Sequence, residues 1–183
     1  MSADPFDTLG LPPRFDLSAA SIRAAWLKRS AALHPDRVQA ASDDAARAGA
    51  ELNADKRALE DPERRARALL ARHDGAGVDD ENALPDGFLM EILEVREEME
   101  AARDRGDSMD HYESWAEERR AEHIERLGPM FDRLEAAQDD SERRAAASEI
   151  RLELNAWRYI ERMLEQLDPD WRPGRDREME EQQ

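Results

Sequence analysis

Apolar positions in this chain recur at helical intervals, in blocks separated by Pro, Gly and Asp. Between Ser18 and Pro35, the residues Ile22, Trp26 and Leu33 stand at i, i+4 and i+11. That spacing keeps them on one helical face. The Ser18 hydroxyl is placed to accept a free N–H of the first turn, and Pro35 disfavours the α region for the residue before it. The pattern therefore predicts a helix over 19–33, followed by a loop over 37–43. Leu52 and Leu59, set among alanines, predict a second long helix over 44–59. Asp61-Pro62 then supplies an N-cap and a proline suited to a first helical position. It opens a helix over 62–72 whose apolar positions are Ala66, Leu69 and Leu70. Ahead of these, residues 4–13 are punctuated by Pro and Gly. A short helical turn around 7–9 would set Phe6, Leu9 and Leu11 against a core.

Residues 73–84 (HDGAGVDDENAL) lack periodicity and are rich in Gly, Asp and Asn. They read as a linker, with a first domain over 1–74, the linker proper over 75–84 and a second domain over 85–168. Pro85-Asp86 opens the next helix. Phe88, Ile92, Val95 and Met99 form an inward stripe at i, i+4, i+7 and i+11. Leu89, Met90 and Leu93 are more apolar surface than one stripe can use, which favours an exposed patch. A second helix is expected over 109–137 with Trp115, Ile124, Leu127, Met130, Phe131 and Leu134 as its apolar set. Gly128-Pro129 predicts a kink or break in it. A third, from Asp140-Ser141 to about Leu167, carries Ile150, Leu152, Leu154, Trp157, Ile160, Met163, Leu164 and Leu167. The expected architecture is all-α, with a helical N-terminal domain followed by a three-helix bundle. The polar tail, 169–183, is expected to be disordered.

Composition supports helix over sheet, because Ala, Glu, Arg and Leu dominate and β-branched residues are scarce. The formal net charge is −17. Residues 1–74 balance at 12 basic and 12 acidic, whereas residues 75–183 hold 15 basic and 32 acidic. Charge of this sign repels a phosphate backbone, so nucleic acid is not an expected partner. No cysteine is present, which rules out disulfides and thiolate-ligated metal centres within these residues. No signal peptide or transmembrane run is evident, and the expected location is the cytoplasm.

The one local motif with chemical content is His34-Pro35-Asp36, in the loop after a basic helix. From Ile22 to Arg37 there are four cations (Arg23, Lys28, Arg29 and Arg37) against one acid. Together with Phe6-Asp7-Thr8-Leu9-Gly10-Leu11, Leu52-Asn53-Ala54 and Asp61-Pro62-Glu63-Arg64-Arg65-Ala66, this arrangement resembles a J-domain. Phe88-Leu89-Met90-Glu91, continuing to Glu94, Arg96, Glu97 and Glu98, is similar to the FLME-x-x-E-x-R-E-E segment of the HscB family of iron–sulfur co-chaperones. Met130-Phe131-Asp132 and Trp157-Arg158-Tyr159-Ile160 also fit that family's C-terminal domain. The resemblance covers roughly residues 4–168.

The resemblance implies a role and its residues. His34, Pro35 and Asp36, with Arg23, Lys28, Arg29 and Arg37, would dock on a DnaK/HscA-type chaperone and stimulate its ATP hydrolysis. The cations would steer it towards an acidic patch. Leu89, Met90 and Leu93, flanked by Glu94 and Glu97 and joined by Tyr159 from the last helix, would hold an IscU-type scaffold protein. On this reading the chain is an ATPase activator rather than an enzyme, with no cofactor and no metal site. ATP would be bound by the partner. The four histidines show neither Glu-x-x-His nor His-Glu-x-x-His spacing.

Two positions depart from the J-domain pattern. Arg29 stands where an apolar residue is common, and Lys56 where an aromatic is common. Two other readings compete: a J-domain adaptor for a different client, and a helical interaction protein whose tripeptide is inert.

Overall fold

In a computed structural model, residues 4–32, 42–73 and 82–168 are described, and they form seven helices and no strand. The chain divides into two compact units, Met1–Ala76 and Gly77–Gln183.

The first unit holds α1 (Pro5–Leu9), α2 (Ala19–Ala32), α3 (Ser42–Glu60) and α4 (Pro62–His73). Local chemistry sets their starts. The Asp4 carboxylate accepts from the Phe6 N–H at 2.9 Å, Ser18 Oγ from the Ser21 N–H at 3.1 Å, and Asp61 from the Arg64 N–H at 2.9 Å. Each satisfies a first-turn donor that has no partner within the helix. α1 ends at Gly10, whose φ of 69° is left-handed backbone that glycine adopts without a Cβ clash. Phe6, Leu9, Phe15, Ile22, Leu52, Leu59, Ala66, Leu69 and Leu70 are buried. α3 is the central element of the unit, packing on α1, α2 and α4.

Arg65 is buried in the same unit. It donates to the Leu59 carbonyl at 2.7 Å and lies over the Phe15 ring at 5.1 Å. Burial pushes its pKa down, against the opposing charges of Asp61 and Asp16.

The second unit holds α5 (Phe88–Arg105), α6 (Asp110–Ala136) and α7 (Asp140–Leu167). α6 and α7 form a long antiparallel pair, in which His123 meets Glu153 and Arg120 meets Glu161. α5 packs against α7. Their shared core includes Ile92, Met99, Ala116, Ile160, Met163, Leu164 and Leu167.

Of the kink or break expected at Gly128-Pro129, the break does not occur: α6 runs unbroken from Asp110 to Ala136 with Pro129 inside it. A mid-helix proline costs on the order of 3 kcal/mol. Leu127, Phe131 and Leu134 around it are all buried, and each such side chain contributes roughly 1.5–3 kcal/mol. Packing therefore outweighs the lost hydrogen bond. A smaller correction concerns Pro85-Asp86, which form a turn, so that α5 begins at Phe88 after Gly87. Among the described residues no helix is long and apolar enough to cross a membrane.

Candidate interaction surfaces

The first candidate surface lies on α2. Arg23, Lys28 and Arg29 are all exposed there. Leu27, 52% exposed, shares a face with Arg23 one turn earlier. The three cations do not behave alike. The Arg29 guanidinium folds back onto Gly10, where a Cβ would stand 2.7 Å from Nη2. A cation beside the C-terminus of α1 is favourably placed against the helix dipole. Arg29 thus spends its head on the unit's own fold, while Arg23 and Lys28 face outward. His34, Pro35, Asp36 and Arg37 lie outside the described residues.

Behind α2, Trp26 donates from Nε1 to Asn53 Oδ1 at 2.9 Å. Lys56 Nζ lies 5.6 Å from the indole centroid. The two contacts join α2 to α3, the second of them through Lys56, one of the two positions where the sequence departs from the J-domain pattern.

The second candidate surface is on α5. Ile92 and Met99 are buried and Phe88 and Val95 are partly buried, as the inward stripe requires. Leu89 is 48% exposed, Met90 76% and Leu93 49%. Glu94 and Glu97 are exposed beside them. Tyr159 reaches the same region from α7. Its ring stands edge-on to Phe88, with centroids 5.7 Å apart and planes at 89°. This geometry sets the positive rim of one ring against the negative face of the other. Arg96 donates from Nε to Glu100 Oε1 at 2.9 Å. At 100° per residue, Leu89, Leu93, Arg96 and Glu100 fall within an arc of about 60° on α5. The apolar patch therefore has an arginine and a tyrosine at one edge and the carboxylates of Glu94 and Glu97 at the other.

Sequence reasoning did not find a partly buried polar cluster between α6 and α7. His123 Nδ1 is 2.7 Å from Glu153 Oε1, which Arg126 Nε also meets at 2.6 Å. Arg126 Nη2 also stands 3.0 Å from His123 Nδ1; the carboxylate only accepts, so its contact calls for a proton on Nδ1, whereas the guanidinium only donates and calls for the lone pair there. The His123 ring stacks parallel to Trp157 at 6.0 Å. Trp157 in turn donates to Glu161 at 2.7 Å, and the Arg120 guanidinium lies 5.7 Å from the centroid of its ring. Burial works against the Glu153 carboxylate, but the hydrogen bonds and charges of His123 and Arg126 outweigh it and hold its pKa below the ordinary glutamate range. The residues joined are 30 apart in sequence, and no local spacing announces such a pair. Among the described residues no group of three or more His, Asp or Glu is arranged to hold a metal ion.

Comparison with known proteins agrees with this arrangement. Residues 84–168 match the family of the HSCB C-terminal oligomerisation domain. The chain is 30% identical over 172 residues to a co-chaperone protein HscB homolog of Bordetella petrii, covering 90% of this chain and 94% of that one. It is 34% identical over 134 residues to the homolog of Burkholderia multivorans, covering 69% and 77%. Among solved structures, chaperone HscB from Vibrio cholerae superposes with a TM-score of 0.57 at 28% identity, covering 90% of this chain and 99% of that one. The human co-chaperone protein HscB has a TM-score of 0.68 at 18% identity, covering 92% and 82%, a likeness of fold alone. With nearly its whole length aligned and its α5–α7 bundle matched, the chain belongs to the HscB co-chaperone family.

Proposed function

We propose that this protein acts in the cytoplasm as the adaptor of iron–sulfur cluster assembly, bringing an IscU-type scaffold protein to a DnaK/HscA-type chaperone and accelerating that chaperone's ATP hydrolysis. The observation that carries the client half is the exposure of Leu89, Met90 and Leu93 on one helix whose other face already fills the core. Apolar side chains clustered outside the core mark an interaction site, and Leu and Met offer adaptable contact area.

The chaperone half rests on the basic face of α2 and the His34-Pro35-Asp36 tripeptide that follows it. Arg23 and Lys28 provide long-range attraction to an acidic surface. His34 and Asp36 provide polar contacts held by the restricted backbone of Pro35. Hydrolysis itself takes place on the partner's nucleotide. This chain's part is to bind two proteins at once, raising the effective concentration of one beside the other.

Steady-state ATP hydrolysis by the host's DnaK-type chaperones tests the reading. The measurement is made with this protein, the IscU-type scaffold, or both, and with His34→Gln in place of the parent. Synergy that needs both proteins and vanishes in the variant is the expected result. Stimulation indifferent to the scaffold would leave a J-domain protein with a different client. No stimulation of any chaperone would overturn the reading entirely.

A further inference from the structure

We propose that Met90 is a peroxide-sensitive modification site: conversion of its thioether to the sulfoxide turns the apolar face of α5 polar and weakens its hold on the client. The loss of client binding rests on the reading of the Leu89–Leu93 patch as the client surface.

The chain has seven methionines and no cysteine. A thiolate is the usual first target of peroxide in a protein, so here the reaction passes to sulfur held as thioether. Access then decides which thioether reacts. Met90 is 76% exposed, whereas Met99 and Met163 are buried at 0% and 2%. Met109 packs against the core of the second unit and Met130 is partly buried. Among the described residues Met90 is therefore the methionine most open to a solvent-borne oxidant. Met1 and Met179 lie outside them.

The oxidant is hydrogen peroxide. It is small and uncharged, so neither the net charge of −17 nor the exposed carboxylates of Glu94 and Glu97 repel it, as they would an anion. A lone pair of the Met90 sulfur attacks one peroxide oxygen and the O–O bond breaks. The departing hydroxide takes the proton of the transferred oxygen and leaves as water. Sulfur gives up two electrons, peroxide accepts them, and the product is the sulfoxide.

Position makes the modification consequential. Leu89 and Leu93 beside it are 48% and 49% exposed, and peroxide leaves such aliphatic side chains unchanged. The unmodified thioether is apolar, polarisable and adaptable in packing. The sulfoxide oxygen is a hydrogen-bond acceptor, and a partner that buries it without a donor loses affinity. The fold is spared, because Met90 stands outside the core that Ile92, Met99 and Leu164 share.

The test treats the full chain with hydrogen peroxide and removes the oxidant with catalase. Only then is the host's IscU-type scaffold added, so its own residues never meet peroxide. Peptide mass spectrometry is expected to find the sulfoxide at Met90 before Met99, Met109, Met130 or Met163. Kd for the scaffold is expected to rise roughly tenfold, the scale of one uncompensated polar group, while the melting temperature stays within about a degree. The two epimer-specific methionine sulfoxide reductases, added together, should reverse the rise. In Met90→Leu, whatever its own starting Kd, peroxide treatment should leave that value as it was. Oxidation that begins at another of these four methionines, or an equal loss of affinity on treating Met90→Leu, would overturn the proposal. Leu89→Ala plus Leu93→Ala reads out the patch separately. If that variant binds like the parent, the patch reading fails and the weakened hold falls with it. If it loses binding while the Met90 sulfoxide keeps it, only the redox role is wrong.

Discussion

Lys56 and Trp26 face each other between α3 and α2, the ammonium nitrogen 5.6 Å from the centroid of the indole. A lysine thus covers a ring at a position where the J-domain pattern favours an aromatic. Its four-carbon stem supplies apolar contact and its charge meets the negative face of the indole. Asn53 fixes the ring from the same helix by accepting from Nε1. Lys56→Ala is expected to lower the stability of the α2–α3 pair by roughly 0.5–1.5 kcal/mol, through loss of both stem and charge. Lys56→Met keeps the stem and should recover about half of it. Native-state amide hydrogen exchange in α2 and α3 measures the difference locally. Equal exchange rates in Lys56→Ala and the parent would show that the contact carries no energy.

Gly10 offers a second test of the same unit. Its φ of 69° is costly for any residue with a Cβ, and that Cβ would meet Arg29 Nη2 at 2.7 Å. The two costs are separable. The backbone term is on the order of 1–2 kcal/mol, whereas the Arg29 head is the free end of a flexible side chain and can move. Gly10→Ala should therefore destabilise the unit by about that backbone amount. Adding Arg29→Ala should restore only a minor part. Thermal unfolding of the two single variants and the double one separates the terms; complete rescue by Arg29→Ala would mean that the clash, not the backbone, set the cost.

How much of this was legible beforehand varies with the physics at each site. The two-sided nature of α5 was legible, because six apolar residues between Phe88 and Val95 exceed what one buried stripe accepts. The structure buries Ile92 and leaves Leu89, Met90 and Leu93 exposed. The caps at Ser18 and Asp61 were legible because capping is local. The helix over 109–137 was legible from its apolar period, but its passage through Gly128-Pro129 without a break was not, since a rule about Gly-Pro is local and the burial of Leu127, Phe131 and Leu134 around it is tertiary. The His123–Glu153–Arg126 cluster was hidden for the opposite reason. In a chain where 39% of residues are charged, every acid has several candidate partners at any spacing, and only the register of α6 on α7 selects one. The folding back of Arg29 onto Gly10 was likewise invisible in a helix of several exposed cations. The His34-Pro35-Asp36 tripeptide lies outside the described residues.

The α5 patch predicts a separation of binding from stability. Leu89 and Leu93 are each about half exposed. Truncating both should leave helicity and melting temperature nearly unchanged. If they anchor the scaffold, the pair should cost on the order of 2 kcal/mol of binding, about thirtyfold in Kd. Ile92, one residue away on the helix and buried, provides the contrast. Ile92→Ala should cost roughly 2–4 kcal/mol of folding stability through transfer and cavity terms. Scaffold titrations and thermal unfolding on the two variants would show the opposite pattern if the patch were core. Loss of stability in Leu89→Ala plus Leu93→Ala with intact binding would refute the assignment.

Glu153 makes the stability of the second unit depend on pH in a defined direction. Its carboxyl titrates below the ordinary glutamate range, since the hydrogen bonds and charges of His123 and Arg126 outweigh the desolvation that burial imposes. A folded-state pKa lower than the unfolded one means that the unfolded chain binds the proton more readily. The contribution is therefore fully present above the unfolded value and is lost as pH falls through the folded one. At pH 7, Glu153→Gln should destabilise the unit by roughly 1–3 kcal/mol, the scale of a charge-assisted hydrogen bond left unpaired. As pH drops from about 5 towards 3, the parent should lose this advantage and the two stability curves should converge. The comparison matters because the chain carries 44 acidic residues, and the parent's curve alone sums over all of them. The difference between the curves isolates one carboxyl. Chemical unfolding at a series of pH values provides both curves. A gap that stays constant down to pH 3 would mean that Glu153 acts in this cluster through its shape rather than its charge.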